Sequence, residues 1–123
     1  MTVEASLFTA LRAIVSDRCY PLAFPLSPPR PQWPAIRYTL VSTVPAAALC
    51  GDTGDEGSDF RVQIDCVAQT FVEVRTTRLL VIAAMASFAP PAVLQNTSSL
   101  FDPETATYTE SVEYLIHAST ASV

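Results

Sequence analysis

Six prolines between Pro21 and Pro34 constrain the fold of this 123-residue chain more than any other feature of its sequence. Proline fixes φ and lacks a backbone N–H, so this stretch cannot form a helix or a central strand. We expect residues 21–34 to run as an extended loop over the surface, where they stiffen the chain or shield a sheet edge. The P-x-x-P spacing within the loop leaves open a second role, docking in an aromatic groove of another protein.

The rest of the chain has the composition of one folded domain. Half of its residues are hydrophobic and only 15% are charged, which excludes intrinsic disorder. A chain of this length forms one hydrophobic core, so we predict a single domain over residues 1–123. The longest apolar run, residues 79–86, is too short to span a bilayer, and no membrane association is expected. Cys19, Cys50 and Cys66 are predicted to be buried thiols.

Charge and glycine content exclude several classes of function. The formal net charge is −5 and lysine is absent, which argues against a protein that holds nucleic acid by its phosphates. All three glycines lie in residues 51–57, so none is available for a phosphate-binding loop before a helix. The single histidine and the wide spacing of the cysteines do not fit a zinc site. We therefore expect no cofactor and no metal.

Hydrophobic spacing predicts the order helix, short strand, hairpin, helix, hairpin. Val3, Leu7 and Leu11 recur at helical spacing, whereas the residues that follow Phe60 alternate strictly between apolar and polar. Thr70 and Glu73 form a capping-box pattern at the start of the second helix. The predicted helices are 3–17 and 70–87, and the predicted strands are 19–20, 35–44, 60–66, 93–101 and 107–117, with a turn at 102–105.

This order predicts an α+β fold, an antiparallel sheet of four to five strands with two helices packed on one face. The strand alternation places a set of polar residues on the opposite face of the sheet. Residues 118–123 form a small, polar C-terminal tail. The predicted polar set is Arg37, Thr39, Arg61, Gln63, Asp65, Ser111 and Glu113.

Four short strings in this order resemble a known family. They are DRCYP at 17–21, WPAIRY at 33–38, RVQID at 61–65 (followed by an alanine and a helix) and LFDPET at 100–105. With them, the chain resembles the tail terminator, or tail-completion, family of long-tailed bacteriophages and related gene-transfer particles, over residues 6–116. It departs from the family pattern in the proline-rich stretch and in the acidic, glycine-bearing loop 50–59.

The resemblance implies a structural virion protein of the tail and neck, assembled in the host cytoplasm. Six copies would form a homo-hexameric ring on the head-proximal end of the tail tube. This ring would contact the tail tube protein and the head–tail connector (stopper) protein, and DNA would pass through its lumen without specific binding. The ring would carry a charge of about −30, and an acidic wall repels phosphates. We hypothesise that loop acids, Asp65 or Glu113 face this lumen.

The sequence is compatible with two other functions. Another head–tail connector subunit, a stopper or adaptor, would share size, class and ring symmetry with a terminator. A small monomeric α+β binding module that uses its proline loop is an alternative of a different class. A hydrolase ranks third, because His117 lies at a strand end without a recognisable nucleophile turn. Glu110 and Glu113 fall on opposite faces of one strand, so they do not form an acid–base pair, and we predict no enzyme.

Three groups of residues are candidates for the subunit or tube interface. Trp33 is expected to anchor the proline loop to the core or to bury itself against a neighbouring subunit. The acidic loop fails the calcium-loop pattern, so it is either a flexible hairpin connection or a loop that orders against a neighbour. Arg75 and Arg78 lie one turn apart on the second helix, either solvated or paired with acids of an adjacent subunit. The candidate acids are Asp52, Asp55 and Glu56.

Overall fold

The computed structural model describes residues 3–22, 24, 33–45, 58–88 and 91–118. Within these ranges, the side chains of residues 42–45, 58 and 118 are not described. Several predictions therefore lie outside the described residues: positions 50–57 of the acidic loop 50–59, most of the proline-rich stretch, Cys50 and the tail after residue 118. Positions 58 and 59 of the predicted loop belong to the strand Ser58–Ala68.

The elements follow the predicted order. Helix α1 is followed by a 3-10 turn, and helix α2 lies between two long hairpins. The helices and the turn are α1 Val3–Leu11, the 3-10 turn Arg12–Val15 and α2 Phe71–Ala86. The strands are β1 Cys19–Pro21, β2 Ala35–Pro45, β3 Ser58–Ala68, β4 Ala92–Asp102 and β5 Thr107–Ala118.

Helix α2 begins where its capping pattern predicted. The Thr70 hydroxyl accepts a hydrogen bond from the backbone N–H of Glu73 at 3.1 Å, which satisfies a donor that the first helical turn leaves free. The helix buries Val74, Thr77, Val81 and Met85. Phe71 and Leu80, although apolar, are each 49% exposed, because they lie on the flank of the helix.

The five strands form one sheet in the order β1-β2-β3-β5-β4. All neighbouring pairs are antiparallel except β1 and β2, which are parallel. The α+β class is confirmed, and the antiparallel prediction needs this one correction. Its physical reason is the long connection after β1, which returns the chain to the same end of the sheet before β2 begins.

Both helices pack on one face of the sheet, as predicted. Helix α1 contacts β1 and β2, and helix α2 contacts β3 and β5. On β3, Phe60, Val62, Ile64 and Cys66 point toward the helices and are buried. The pairing register places the predicted polar set on the opposite side, which we call the open face. Each large apolar side chain buried in the core contributes about 1.5–3 kcal/mol to folding.

Candidate subunit interface

Strand β4 forms one edge of the sheet and is exposed along almost its whole length. Residues 93–101 are all exposed, and among the described residues β4 pairs with β5 alone. Its sequence from Ala92 to Phe101 contains no charged residue and no proline. Soluble proteins usually protect an edge of this length with charges, proline or a covering element, so an unprotected β4 indicates a surface that another chain covers.

Helix α2 does not extend over β4. The helix lies over β3 and β5, and no other described element covers the strand beyond them. Large apolar side chains are consequently exposed on β4 and on the nearby side of α2. They are Val93, Leu94, Leu100 and Phe101 on the strand, and Phe71 at the start of the helix. We call β4 together with Phe71 and Arg75 of α2 the β4 flank.

A buried carboxylate lies beneath this flank. Glu110 of β5 points toward the helices and its side chain is 2% exposed. It accepts hydrogen bonds from Arg75 Nε at 2.9 Å and from the hydroxyl of Ser99 at 2.7 Å. Arg78 Nε lies 3.5 Å from the same carboxylate without forming a hydrogen bond to it. The carboxylate thus ties α2 to the two strands at the edge of the sheet.

The charges of this cluster leave a positive surplus. Two guanidinium groups share one carboxylate, and the Arg75 side chain is 41% exposed. Burial by itself raises the pKa of Glu110, but the hydrogen bonds from Ser99 and Arg75 and the charges of both arginines outweigh it, so this pKa lies below its ordinary value. Glu110 is therefore ionised at neutral pH, and the cluster presents net positive charge in a chain that is acidic overall.

Aromatic rings surround the cluster. Tyr108 contacts Phe101 at a ring-centroid distance of 4.9 Å and Phe71 at 6.1 Å. The guanidinium of Arg75 lies over the Phe71 ring at 4.7 Å. A cavity of about 230 Å³ opens between these rings and the end of β4. An exposed aromatic patch with an arginine at its centre has the composition typical of a protein–protein interface.

The open face of the sheet carries a second buried carboxylate. Asp65 is 2% exposed and receives hydrogen bonds from Gln63 at 2.9 Å and from Ser111 at 2.5 Å, in addition to both Nε and Nη2 of Arg37. Because its oxygens are fully engaged, Asp65 does not present free negative charge to the solvent, as the lumen hypothesis required of it. Glu113, which is 28% exposed beside Arg61, remains a candidate for that role.

Trp33 lies at the rim of a groove on this open face. Its ring meets Phe24 edge-on at 5.5 Å, and the guanidinium of Arg37 lies over Phe24 at 5.4 Å. The groove has a volume of about 630 Å³ and is lined mainly by these groups and by serine and threonine hydroxyls of the sheet. Trp33 thus packs against Phe24 of its own chain, a contact of the kind expected of an anchor, and its side chain stays partly exposed.

The structure brings only some of the predicted interface residues together. Arg75 and Arg78 converge on Glu110, whereas Trp33 lies on the opposite face of the sheet. The predicted partners Asp52, Asp55 and Glu56 lie outside the described residues. Glu110 was missed as a partner, although strand alternation could have identified it, because it occupies a core-facing position between Tyr108 and Val112.

Metal ligands, long apolar helices, cysteines and the histidine are the other features to which the sequence draws attention. The described residues contain no group of three or more side chains suited to hold a metal ion, and no described helix is long and apolar enough to cross a membrane. Cys19 and Cys66 are buried free thiols, as predicted, and burial raises the pKa of each to about 12. His117 contacts Asp59 at 2.7 Å at the end of β5.

Comparison with known proteins identifies the family of this chain. The sequence profile described as "Tail completion protein gp17" matches residues 5–117. Among solved structures, a chain of the "Virion of native gene transfer agent (GTA) particle" is similar, with a TM-score of 0.66 and 14% identity, over 96% of this chain and 95% of that chain. No curated protein sequence matches. At 14% identity the structural similarity shows a shared fold only. The family profile shows the family, because it matches nearly the whole sequence. The chain therefore belongs to the tail completion protein gp17 family, whose members are structural proteins of the virion tail.

Proposed function

We propose that this protein is a tail terminator, a subunit that forms a hexameric ring, caps the tail tube and helps to join the tail to the head. The observation that carries the proposal is the family match over residues 5–117. The fold shared with a chain of a gene transfer agent particle supports it. In this role the protein is structural and not an enzyme, and it acts through the shapes and charges of its surfaces.

The mechanism is surface complementarity at two ring faces. One face of the ring matches the last ring of the tail tube protein, and the opposite face lacks the surface that would recruit another tube subunit. Open head-to-tail growth is thereby converted into a closed end. The same opposite face offers the docking surface for the head–tail connector protein, and DNA passes through the lumen.

The candidate interface residues have different parts in this proposal. The exposed guanidinium of Arg75 and the neighbouring Arg78 attract acids of an adjacent subunit, for which Asp52, Asp55 and Glu56 are candidates. Trp33 offers an aromatic edge to a neighbour, since Phe24 packs against its ring at the rim of the open-face groove and Arg37 in turn lies over Phe24.

The test is electron microscopy of particles whose copy of this reading frame carries an early stop codon. A terminator defect produces overlong tails that are not attached to heads. Tails of normal length beside filled, unjoined heads would instead assign the protein to the head side of the neck, as a stopper or adaptor. Normal virions would overturn both assignments and leave a monomeric binding module. Complementation with the intact frame is the control, because it must restore normal particles.

A further inference from the structure

Besides the outer edge of the three-residue strand β1, the sheet has two stretches of strand edge with which no described residue pairs. One is the outer edge of β4. The other is part of β2, because β1 pairs only with residues 36–38 and leaves residues 39–44 without a described partner on their outer edge. A strand edge carries a row of free N–H and C=O groups, so each stretch is able to accept another strand.

Neither edge has the features that normally prevent such pairing. Residues 92–101 of β4 and residues 39–44 of β2 contain no charged side chain and no proline. Leu94 on one face of β4 and Val93 on the other are at least 43% exposed. An added strand that brings its own neighbouring side chains would remove this apolar surface from water.

The two edges are aligned with one another across the sheet. The ladder pairings place Leu40, Val62, Tyr114 and Leu94 in one row, and Thr39, Gln63, Glu113 and Asn96 in the adjacent row. Strand β4 runs opposite to β2, because three antiparallel pairings separate them. Rotation about an axis along the strands therefore brings β4 of one copy antiparallel to β2 of the next, with these rows in register.

Charge favours a second copy of the chain in this head-to-tail arrangement. The cluster of Arg75, Arg78 and Glu110 beside β4 has a positive surplus, while the chain as a whole carries −5. A two-fold contact along β4 would set this cluster against its own copy, whereas a head-to-tail contact sets it against a different, on average acidic, surface. Head-to-tail contacts are also those that close into rings.

We propose that residues 92–96 of β4 bind the outer edge of residues 39–43 of β2 in a neighbouring copy, so that one sheet continues across the subunit boundary. Because β1 occupies the edge of residues 36–38, residues 97–102 of β4 lie outside this shared sheet. This inference rests on the proposed ring and names the surfaces that build it. The neighbour covers Leu94, and the hydrogen bonds of the two edges set the register between subunits.

Disulfide cross-linking tests the pairing directly. Thr39→Cys and Asn96→Cys are introduced together and singly in a Cys50→Ser background, and each protein is oxidised after purification. Both positions lie on the open face, away from the core. Directly opposite residues of antiparallel strands have Cα atoms about 4.5–5.5 Å apart, within the range that a disulfide bridges. Cys19 and Cys66 are buried and do not compete. Thr39→Cys with Ser98→Cys samples a register two residues away.

The expected result is a covalent ladder that ends at the closed ring for a double variant, with single variants staying monomeric on a denaturing gel. Cross-linked dimers from Asn96→Cys alone would indicate a two-fold β4 contact and overturn the head-to-tail pairing. If light scattering finds a hexamer but neither double variant cross-links, the ring stands and this interface is wrong. A chain that stays monomeric in light scattering, including in the presence of tube protein, would contradict the proposed ring itself.

A matched pair of lysine variants tests the same surface without cross-linking. Leu94→Lys charges the exposed edge, and Val72→Lys charges an even more exposed position on α2, at 74% exposure. We expect Leu94→Lys to weaken assembly about tenfold or more and Val72→Lys to leave it unchanged. Circular dichroism of both variants verifies that the fold is intact. Equal effects of the two variants would remove β4 from the interface.

Discussion

The most informative single residue is Glu110, a carboxylate that the fold buries and then fully engages. Arg75 and Ser99 donate hydrogen bonds to its carboxylate, and the positively charged guanidinium of Arg78 lies 3.5 Å from the same group. Glu110→Gln keeps the shape of the side chain but leaves two guanidinium groups without their anion. We expect it to lower the free energy of unfolding by about 1–3 kcal/mol, because hydrogen bonds to charged groups are worth that much and the arginines stay partly solvated. Urea unfolding at matched protein concentration measures the change.

Glu113→Gln is the matched control for this prediction. Glu113 lies three residues away on the opposite face, where it is 28% exposed and 3.7 Å from Arg61. An exposed pair of this kind contributes little, so its loss is expected to cost less than about 1 kcal/mol. Similar losses for the two variants would show that burial of Glu110 has no energetic consequence.

The lowered pKa of Glu110 also predicts how its contribution depends on pH. A carboxyl group whose folded-state pKa lies below the unfolded value of 4.5 stabilises the fold above that value. The contribution is lost as the pH falls through the lower, folded-state pKa. The difference in unfolding free energy between wild type and Glu110→Gln is therefore expected to be largest near neutral pH and to shrink below about pH 4. A difference that grows on acidification would contradict this ionisation state.

At the scale of elements, the sequence predicted the features that depend on residues close together in the chain, namely strand faces and helix starts. The strict alternation after Phe60 located β3 and both of its faces, and the Thr70–Glu73 pattern located the start of α2. The parallel pairing of β1 was not predictable, because a three-residue strand carries no information on its direction. The candidate site shows the same division. Arg75 and Arg78 were identified from helical spacing, whereas their partner Glu110 depends on packing between elements distant in sequence.

The cap of α2 gives the prediction at this scale. Thr70→Ala removes the oxygen that accepts from the Glu73 N–H and is expected to lower stability by about 1 kcal/mol. Thr70→Ser is the control, since it keeps the hydroxyl and should stay near wild type. Thermal unfolding of the three proteins makes the comparison. Because α2 positions Arg75 beside Glu110, the alanine variant is also expected to weaken assembly through the β4 flank. A loss of stability without a loss of assembly would show that this surface does not depend on the helix cap.

At the scale of the whole molecule, the proposed ring has an inside and an outside. Both helices cover one face of the sheet, so a sheet that continues from copy to copy closes with its helices on one side and its open face on the other. If the bulky helical layer of the proposed ring faces outward, the open face and Glu113 would line the passage for DNA. Every described arginine except Arg18 lies beside a carboxylate of its own chain, which leaves few free cations for phosphates.

This arrangement predicts where added positive charge would make the passage retain DNA. The wild-type assembly should not retard linear duplex DNA on a gel even at about 50 mM salt, where phosphate contacts are strong. Glu113→Arg reverses one charge per subunit beside Arg61, so six new guanidinium groups converge on the passage and should bind DNA in a salt-sensitive manner. Glu104→Arg makes the same charge change at the exposed turn between β4 and β5, where the new charges are dispersed. Retention by Glu113→Arg alone is the expected outcome. Equal retention by both variants would mean that Glu113 has no special access to DNA, and the open face would then belong on the outside of the ring.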